Sequence, residues 1–166
     1  GAAYDANGAW AASGQVLPAL LEQLWSEPFL HLPPPKSTGR DLFNPAWLER
    51  HLAQLPHRAS PEDIQATLVE LSAKACAESV ISYSNDSKNL IVCGGGAFNN
   101  YLLQRLQARL PAQQVQTSDQ HGLPAQQVEA AAFAWLARQC LHSHCASLPS
   151  VTGASGARIL GAVYPA

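Results

Sequence analysis

The 166-residue sequence has no methionine and few charged residues. Charged side chains make up 13% of the chain, which is about half of their usual share. Ten lysines and arginines against twelve aspartates and glutamates give a net charge of −2, and the basic residues are scattered along the chain. Because binding to nucleic acid needs a clustered basic face, the composition argues against a nucleic-acid partner.

Targeting segments are also missing. The longest stretch without a charge, residues 139–157, is interrupted by histidines, serines and a proline, whereas a bilayer span needs about 20 mostly apolar residues. The chain does not open with a basic segment followed by an apolar run, so no secretory signal is predicted. We expect no membrane partner. The first residue is Gly1 rather than methionine, and we expect residues 1–166 to be one domain of a longer protein.

The four cysteines form no C-x-x-C pair. Without an export signal, this spacing predicts free thiols rather than disulfides. Cys140, His142, His144 and Cys145 lie close together, and Cys140 and His144 would share a face if the helix before them continued. Their spacing matches no common zinc pattern, so we expect no metal site here. No Ser-His-Asp or Cys-His set can be assembled from the sequence.

Apolar residues at helical spacing predict most of the secondary structure. Asn44 and Ser60 each precede a proline and are predicted N-caps, with Asp63 at the reciprocal capping position. The triple proline 33–35 predicts an extended polyproline segment. Helices are predicted to end near Ser13, to start near Leu17, and to span Pro45 to about Gln54, Pro61 to about Ser82, Asn99–Leu110, and Pro124 to about Leu141.

The continuous apolar run Leu90–Cys93 predicts a parallel strand covered on both faces. Val115–Ser118 could form a second strand, and residues 158–164 a last strand or a helix cap. The order strand, glycine turn, helix, strand, helix is typical of the α/β class. We therefore expect helices packed on a small, mostly parallel sheet.

Gly94, Gly95 and Gly96 end the first predicted strand and precede a helix. Without Cβ atoms, this main chain can approach a nucleotide closely, beside a helix N-terminus. The alternative is a tight turn that needs positive φ angles. Asn99 stands where the dinucleotide fingerprint has Gly or Ala, Asp119 is better interpreted as a cap than as a ribose partner, and no P-loop is present.

Two further segments carry candidate binding residues. Glu129 lies in an otherwise apolar helix, where a carboxylate is costly unless it faces a cleft or a partner; it could instead face solvent in the first turn. Lys36 and Thr38 lie in a loop with basic and hydroxyl groups, which suits an anion or a sugar, or simply solvent.

Five blocks in order along the chain resemble the anhydro-N-acetylmuramic acid kinase family, over roughly its C-terminal half. They are Tyr4-Asp5-x-x-Gly8-x-Trp10-Ala11-Ala12-x-Gly14, Pro35-Lys36-Ser37-Thr38-Gly39-Arg40-Asp41-x-Phe43-Asn44, Cys93-Gly94-Gly95-Gly96-Ala97-Phe98-Asn99, Gly122-Leu123-Pro124-x-x-x-Val128-Glu129-Ala130-Ala131-Ala132-Phe133-Ala134-Trp135-Leu136, and Leu148-Pro149-Ser150-Val151-Thr152-Gly153-Ala154.

The resemblance implies the C-terminal lobe of an actin-like (ribonuclease H-like), two-domain kinase of the bacterial cytoplasm. With ATP and Mg²⁺, that family opens the 1,6-anhydro bridge of its sugar with water and phosphorylates the freed 6-oxygen, in peptidoglycan recycling. The resemblance places Gly94, Gly95, Gly96 and Asn99 at ATP, and Glu129 at the sugar. It implies a homodimer.

The same resemblance puts the catalytic aspartate and the N-terminal phosphate loop upstream of Gly1, so we expect no catalytic residue in this chain and no kinase activity from it alone. Two other hypotheses stay open. One is the nucleotide-binding lobe of an actin-like or chaperone-like ATPase without sugar chemistry. The other is an α/β fragment with no independent role.

Overall fold

The structure, a computed structural model, describes residues 3–164. Its helices and strands alternate in the second half of the chain, as the α/β prediction requires. The elements are α1 (Ala9–Ser13), α2 (Pro18–Trp25), α3 (Pro45–Leu52), α4 (Pro61–Tyr83), β1 (Asn89–Val92), α5 (Asn100–Arg109), β2 (Gln114–Thr117), α6 (Val128–Leu141) and α7 (Pro149–Thr152).

Helix α4 is the centre of the fold, because α1, α2 and α5 all pack against it. Leu20, Leu24, Trp47 and Leu71 form the buried apolar cluster, which brings together residues of α2, α3 and α4. This cluster is therefore helical and lies in the first half of the chain, while Leu106 and Leu110 are buried in the second half. Within residues 3–164, no helix is both long and apolar enough to cross a bilayer.

The predicted N-caps of α3 and α4 are confirmed. The side chain of Asn44 accepts a hydrogen bond from the Trp47 N–H at 2.9 Å, and that of Ser60 accepts one from the Asp63 N–H at 3.2 Å. Each cap satisfies a backbone donor that the first helical turn leaves unpaired, and the proline that follows lacks such a donor. Both helices therefore start where the sequence predicts.

The reciprocal half of the predicted capping box at Asp63 is wrong. Its carboxylate accepts a hydrogen bond from the backbone N–H of Gln15 at 2.7 Å, 48 residues earlier in the chain. This bond from Gln15 and the hydroxyl of Ser60 lower the pKa of Asp63. Asp63 thus fastens the link between α1 and α2 to the start of α4.

Strands β1 and β2 pair in parallel, with Leu90 opposite Val115 and Val92 opposite Thr117. The small parallel sheet is confirmed, and helix α5, which connects the two strands, packs against β2. The expected coverage of both faces is wrong for this chain, since Ile91 is 49% exposed. One face of the sheet is open.

The carboxyl-terminal part departs furthest from prediction. Residues 158–164 form neither a strand nor a helix, so that prediction is wrong. The segment is instead held by the carbonyl of Arg158, which accepts a hydrogen bond from the N–H of Ala146 at 3.0 Å. Helix α7 is not predicted by the sequence pattern.

The triple proline 33–35 lies outside helices and strands.

Candidate functional site

The glycine turn follows β1 at the carboxyl end of the sheet. Gly94 has φ +71°, a conformation that L-residues with side chains rarely adopt. Gly95–Phe98 then form a single 3₁₀ turn before α5 begins. The turn therefore needs glycine at position 94 for conformational reasons alone, as the alternative interpretation of this motif predicts.

The space beside the turn is open. A Cβ built on Gly94 or Gly95 would meet no atom within 4 Å, and one on Gly96 would meet only the Leu102 side chain, at 3.6 Å. Gly95 has no positive φ in the range that excludes side chains, so neither packing within the chain nor conformation requires glycine there. The bare main chain at Gly95 is what a closely approaching ligand would need.

Asn99 is the N-cap of α5. Its side-chain oxygen accepts a hydrogen bond from the Leu102 N–H at 2.9 Å. Gly8 lies against the same side chain: a Cβ on Gly8 would lie 2.0 Å from that oxygen and 2.9 Å from Tyr101 Cβ. Asn99 therefore holds α5 at the turn and contacts the first block of the chain. If Asn99 contacts a nucleotide, it does so in addition to capping α5.

Glu129 lies on the helix next to the glycine turn. The Gly94 N–H donates a hydrogen bond to the Ala125 carbonyl at 2.9 Å, in the 3₁₀ turn Ala125–Gln127 that leads into α6. Glu129 follows in the first turn of α6, with its side chain exposed. A carboxylate there is favoured by the helix dipole. The structure thus brings the predicted nucleotide turn and the helix of Glu129 together.

Ser118 and Asp119 follow β2 at the same edge of the sheet, because the strands are parallel and Val92 lies opposite Thr117. Ser118 is buried, and its hydroxyl is one of the buried polar atoms without a partner among residues 3–164. Asp119 is exposed in the 3₁₀ turn Ser118–His121. The sequence favours a capping role for Asp119 and gives no signal for Ser118, because strand register cannot be read from a single chain.

Lys36 and Thr38 lie apart from the glycine turn. The Lys36 ammonium donates to the carbonyls of Phe29 and Leu30 at 3.1 and 2.8 Å, and it lies 5.3 Å from the centre of the Phe29 ring. These bonds anchor the loop to the 3₁₀ turn Pro28–His31 that follows α2. Thr38 is half-buried. No contact described for either residue connects it with Gly94–Gly96 or with Glu129.

The loop of Lys36 meets another of the quoted blocks. Gly153, with φ +70°, ends α7, and a Cβ there would lie 3.0 Å from Pro35 Cγ. The second and fifth blocks therefore pack against each other. Gly153 against Pro35, like Gly8 against Asn99, marks a close approach between two distant parts of the chain.

The cysteine and histidine cluster does not form a shared helical face. Helix α6 ends at Leu141, so Cys140 and His144 are separated by a turn at Ser143, with φ +55°. His144 Nδ1 lies 3.1 Å from Gln139 Oε1. Among the described residues 3–164, no three His, Cys, Asp or Glu side chains converge as a possible metal site.

Glu70 supplies the main buried charge of the fold. Its carboxylate, 3% exposed, accepts hydrogen bonds from Arg105 and Arg109, the latter at 2.7 Å from Nε. Burial alone would raise the pKa of Glu70, but the two guanidinium groups outweigh it and hold the pKa below its usual value. The same contact raises the pKa of Arg105. Glu70 belongs to α4, whereas Arg105 and Arg109 belong to α5, the helix that follows the glycine turn. These ion pairs therefore fix the position of α5 against α4.

Asp5 has a structural role at the start of α1 that the sequence alone does not assign. Its two carboxylate oxygens accept hydrogen bonds from the backbone N–H groups of Trp10 and Ala11, at 2.8 and 3.0 Å. It therefore closes the first turn of α1 and holds Gly8 in the left-handed conformation, φ +71°. The Asp-x-x-Gly spacing was the signal for this turn.

Comparison with known proteins identifies one family. The family model described as "Anhydro-N-acetylmuramic acid kinase" matches residues 1–166. A protein of that name from Variovorax paradoxus is 58% identical over 166 residues, which is 100% of this chain and 44% of the relative. One from Ralstonia nicotianae is 54% identical over 166 residues, with the same coverage. One from Pseudomonas syringae pv. tomato is 52% identical over 163 residues, covering 98% of this chain and 44% of the relative.

The chain thus spans less than half the length of the curated relatives it matches. Identity above 50% over the whole of the chain means that the relatives share its fold over the matched segment. More than half of each relative lies outside that segment.

Proposed function

The chain belongs to the anhydro-N-acetylmuramic acid kinase family, and on that premise we propose that it is the nucleotide-side lobe of an ATP-dependent sugar kinase. Its substrate is 1,6-anhydro-N-acetylmuramic acid. The reaction consumes the anhydro sugar, water and ATP, and it yields N-acetylmuramic acid 6-phosphate and ADP. Residues 1–166 are then one domain, the C-terminal lobe of an actin-like, two-domain protein.

The observation that carries this proposal is the open main chain at the glycine turn. Gly95 has neither a neighbour that a side chain would strike nor a φ that excludes one. Glycine at this position therefore suits a ligand that comes closer to the backbone than a Cβ allows. The turn lies at the carboxyl end of a parallel strand and before a helix, which is where α/β proteins bind nucleotides.

ATP bound with Mg²⁺ supplies the phosphoryl group and an electrophilic phosphorus. Gly94, Gly95 and Gly96 would hold the adenosine and phosphate side of ATP, and Asn99 caps the helix that begins there. No residue of the described chain is assigned to the metal. The base that activates the water and the loop that holds the phosphates come from the part of the protein upstream of Gly1.

Glu129 is proposed to contact the sugar. It is exposed on the first turn of α6, and α6 follows the 3₁₀ turn Ala125–Gln127, whose Ala125 carbonyl accepts the hydrogen bond from the Gly94 N–H. A carboxylate placed there can accept hydrogen bonds from sugar hydroxyls while the nucleotide lies beside the turn. Lys36 and Thr38 are proposed as further sugar contacts; two donors of the Lys36 ammonium are used within the chain, which leaves one for a ligand.

The protein carrying this chain is proposed to be a homodimer of the bacterial cytoplasm that serves peptidoglycan recycling. Support comes from the family, since each of the relatives described above is a bacterial protein of the same name. Neither nucleic acid nor a membrane is proposed as a partner.

The test uses a chimera in which this chain replaces the segment it matches in the Variovorax paradoxus relative. We expect ATP and the anhydro sugar each to raise the melting temperature of the chimera. Stabilisation by ATP alone would favour the other hypothesis, a nucleotide-binding lobe without sugar chemistry. Stabilisation by neither would refute the proposal.

A matched pair of variants separates the two ligands. Glu129→Gln should abolish the stabilisation by sugar and leave that by ATP. Gln126→Ala, an exposed residue just before α6, should leave both unchanged. The isolated 166-residue chain should bind no sugar productively and transfer no phosphate, and measurable turnover by it would contradict the assignment of the catalytic base upstream.

A further inference from the structure

Two large aromatic side chains near the start of the chain have no part in the reaction proposed above. Tyr4 is 77% exposed and Trp10 is 48% exposed. Both line one pocket of about 640 Å³, together with Asp5, Ala6 and Gln65. Aromatic rings on the wall of a concave pocket offer a flat apolar surface to a ligand. The pocket therefore suits a planar ligand.

The backbone that carries Trp10 is held in place before any ligand arrives. The carboxylate of Asp5 accepts hydrogen bonds from the N–H groups of Trp10 and Ala11, at 2.8 and 3.0 Å. The carbonyl of Trp10 accepts one from the hydroxyl of Ser13 at 2.7 Å. Because the backbone is fixed on both sides of the residue, a ligand has to order little more than the two side-chain torsions of Trp10.

The pocket adjoins the glycine turn. The 3₁₀ turn Ala6–Gly8, which provides one wall of the pocket, packs against the 3₁₀ turn Gly95–Phe98. A Cβ on Gly8 would strike the side chain of Asn99, the N-cap of the helix that follows the glycines. The bare main chain at Gly95 and the aromatic pocket therefore lie on adjoining turns, and one extended ligand can occupy both.

Gln65 supplies the polar group of this pocket. It is half-buried near the start of α4, and the hydrogen bonds within residues 3–164 do not engage its amide. A primary amide presents a donor and an acceptor side by side. This pair matches the N6 amino group and the neighbouring N7 of adenine, whereas guanine presents two acceptors, N7 and O6, at the same edge. The amide therefore favours adenine.

We infer that Tyr4, Trp10 and Gln65 form the subsite for the base of the nucleotide. The two rings stack on adenine, and the Gln65 amide forms hydrogen bonds with its edge. This inference rests on the proposed function, because it takes ATP as the nucleotide at the glycine turn. It adds selectivity among purine nucleotides, which the bare main chain of the turn does not supply, since stacking alone accepts any base.

The first test is steady-state kinetics of the chimera with the Variovorax paradoxus relative. Trp10→Ala should raise the KM for ATP at least about tenfold, because a stacking surface for the base is lost. The value of kcat should stay near that of the parent chimera, since the base takes no part in phosphoryl transfer. Trp10→Phe keeps a ring and should retain most of the affinity.

Tyr83→Ala is the matched control for loss of an exposed aromatic ring. Tyr83 is 59% exposed and lies at the opposite end of α4 from Gln65. Its replacement should leave the KM for ATP unchanged.

The second test is the choice between ATP and GTP. A lysine ammonium has donors only and suits the two acceptors of guanine better than it suits adenine. Gln65→Lys should therefore lower the ratio of kcat/KM for ATP to kcat/KM for GTP at least about tenfold. If Gln65 had a structural role alone, the substitution would change both values alike and leave the ratio as it is.

The outcomes separate this inference from the proposed function. An unchanged KM for ATP in a folded Trp10→Ala variant, while Gly95→Val still raises it, would overturn the base subsite alone. So would a lower melting temperature of Trp10→Ala without any change in KM, because the pocket would then hold polypeptide and not a base. A chimera that neither binds nor consumes ATP would overturn the proposed function and this inference with it.

Discussion

The N–H of Gly94 donates a 2.9 Å hydrogen bond to the carbonyl of Ala125 and so joins the glycine turn to the 3₁₀ turn that leads into α6. The two residues are 31 positions apart, and they belong to different blocks of the family pattern. The bond explains how a turn predicted to hold a nucleotide and a helix predicted to face a sugar come to share one edge of the fold.

Gly8 and Gly122 both have positive φ angles, of +71° and +82°, but differ in their surroundings. A Cβ on Gly8 would strike Asn99, whereas one on Gly122 would meet nothing within 4 Å. Gly122→Ala should therefore cost about 1 kcal/mol of unfolding free energy, from backbone strain alone, and Gly8→Ala about 3 kcal/mol. Urea denaturation of the two variants measures the difference, and equal losses would mean that Gly8 does not lie against Asn99.

Asn99 should contribute to stability through its cap and to nucleotide binding separately. Asn99→Ala removes the acceptor for the Leu102 N–H and should cost about 1 kcal/mol, while Asn99→Ser keeps an acceptor and most of the stability. If Asn99 also contacts ATP, Asn99→Ser in the chimera should raise the KM for ATP. A serine variant with full stability and an unchanged KM would restrict Asn99 to its role as a cap.

Glu70 should be the most important charged residue for stability. Glu70→Gln removes the buried negative charge and leaves Arg105 and Arg109 with a single amide oxygen as acceptor, at a cost of about 2–3 kcal/mol. Glu78→Gln, at an exposed position on the same helix, is the control and should change stability by less than about 0.5 kcal/mol. Similar unfolding curves for the two variants would show that the pair with α5 contributes little.

Stability should also fall at acid pH because of Glu70 and Asp63, whose pKa values are both lowered in the folded chain. A depressed pKa contributes stability that is complete above the unfolded value, about 4 for these side chains, and is lost as the pH falls through the folded value. Between pH 6 and pH 3, wild-type protein should therefore lose more unfolding free energy than Glu70→Gln. Parallel pH profiles for the two proteins would contradict this.

Local chemistry made the helix starts predictable, because a cap and the N–H that it accepts are three residues apart. Asn44 and Ser60 are examples. The parallel pairing of β1 and β2 was predictable for a similar reason: a continuous apolar run followed by a glycine turn and a helix has few other arrangements.

Long-range partners were not predictable. The carboxylate of Asp63 could be assigned to its own helix start, but its acceptor role toward Gln15 depends on how α1 packs on α4. The basic and hydroxyl residues around Lys36 predict a ligand contact, yet its ammonium donates hydrogen bonds to the carbonyls of Phe29 and Leu30. The exposure of Ile91 and Phe133 also contradicts their apolar pattern.

Gly95 offers the most direct test of the proposed nucleotide contact, since nothing within the chain opposes a side chain there. The measurement is the KM for ATP in the formation of N-acetylmuramic acid 6-phosphate by the chimera, compared with its Gly95→Val variant at equal thermal stability. We predict turnover by the chimera and a KM for ATP raised at least about tenfold in the variant, a loss of roughly 1.4 kcal/mol of binding free energy. An unchanged KM in a folded, active variant would show that the nucleotide does not lie against this turn.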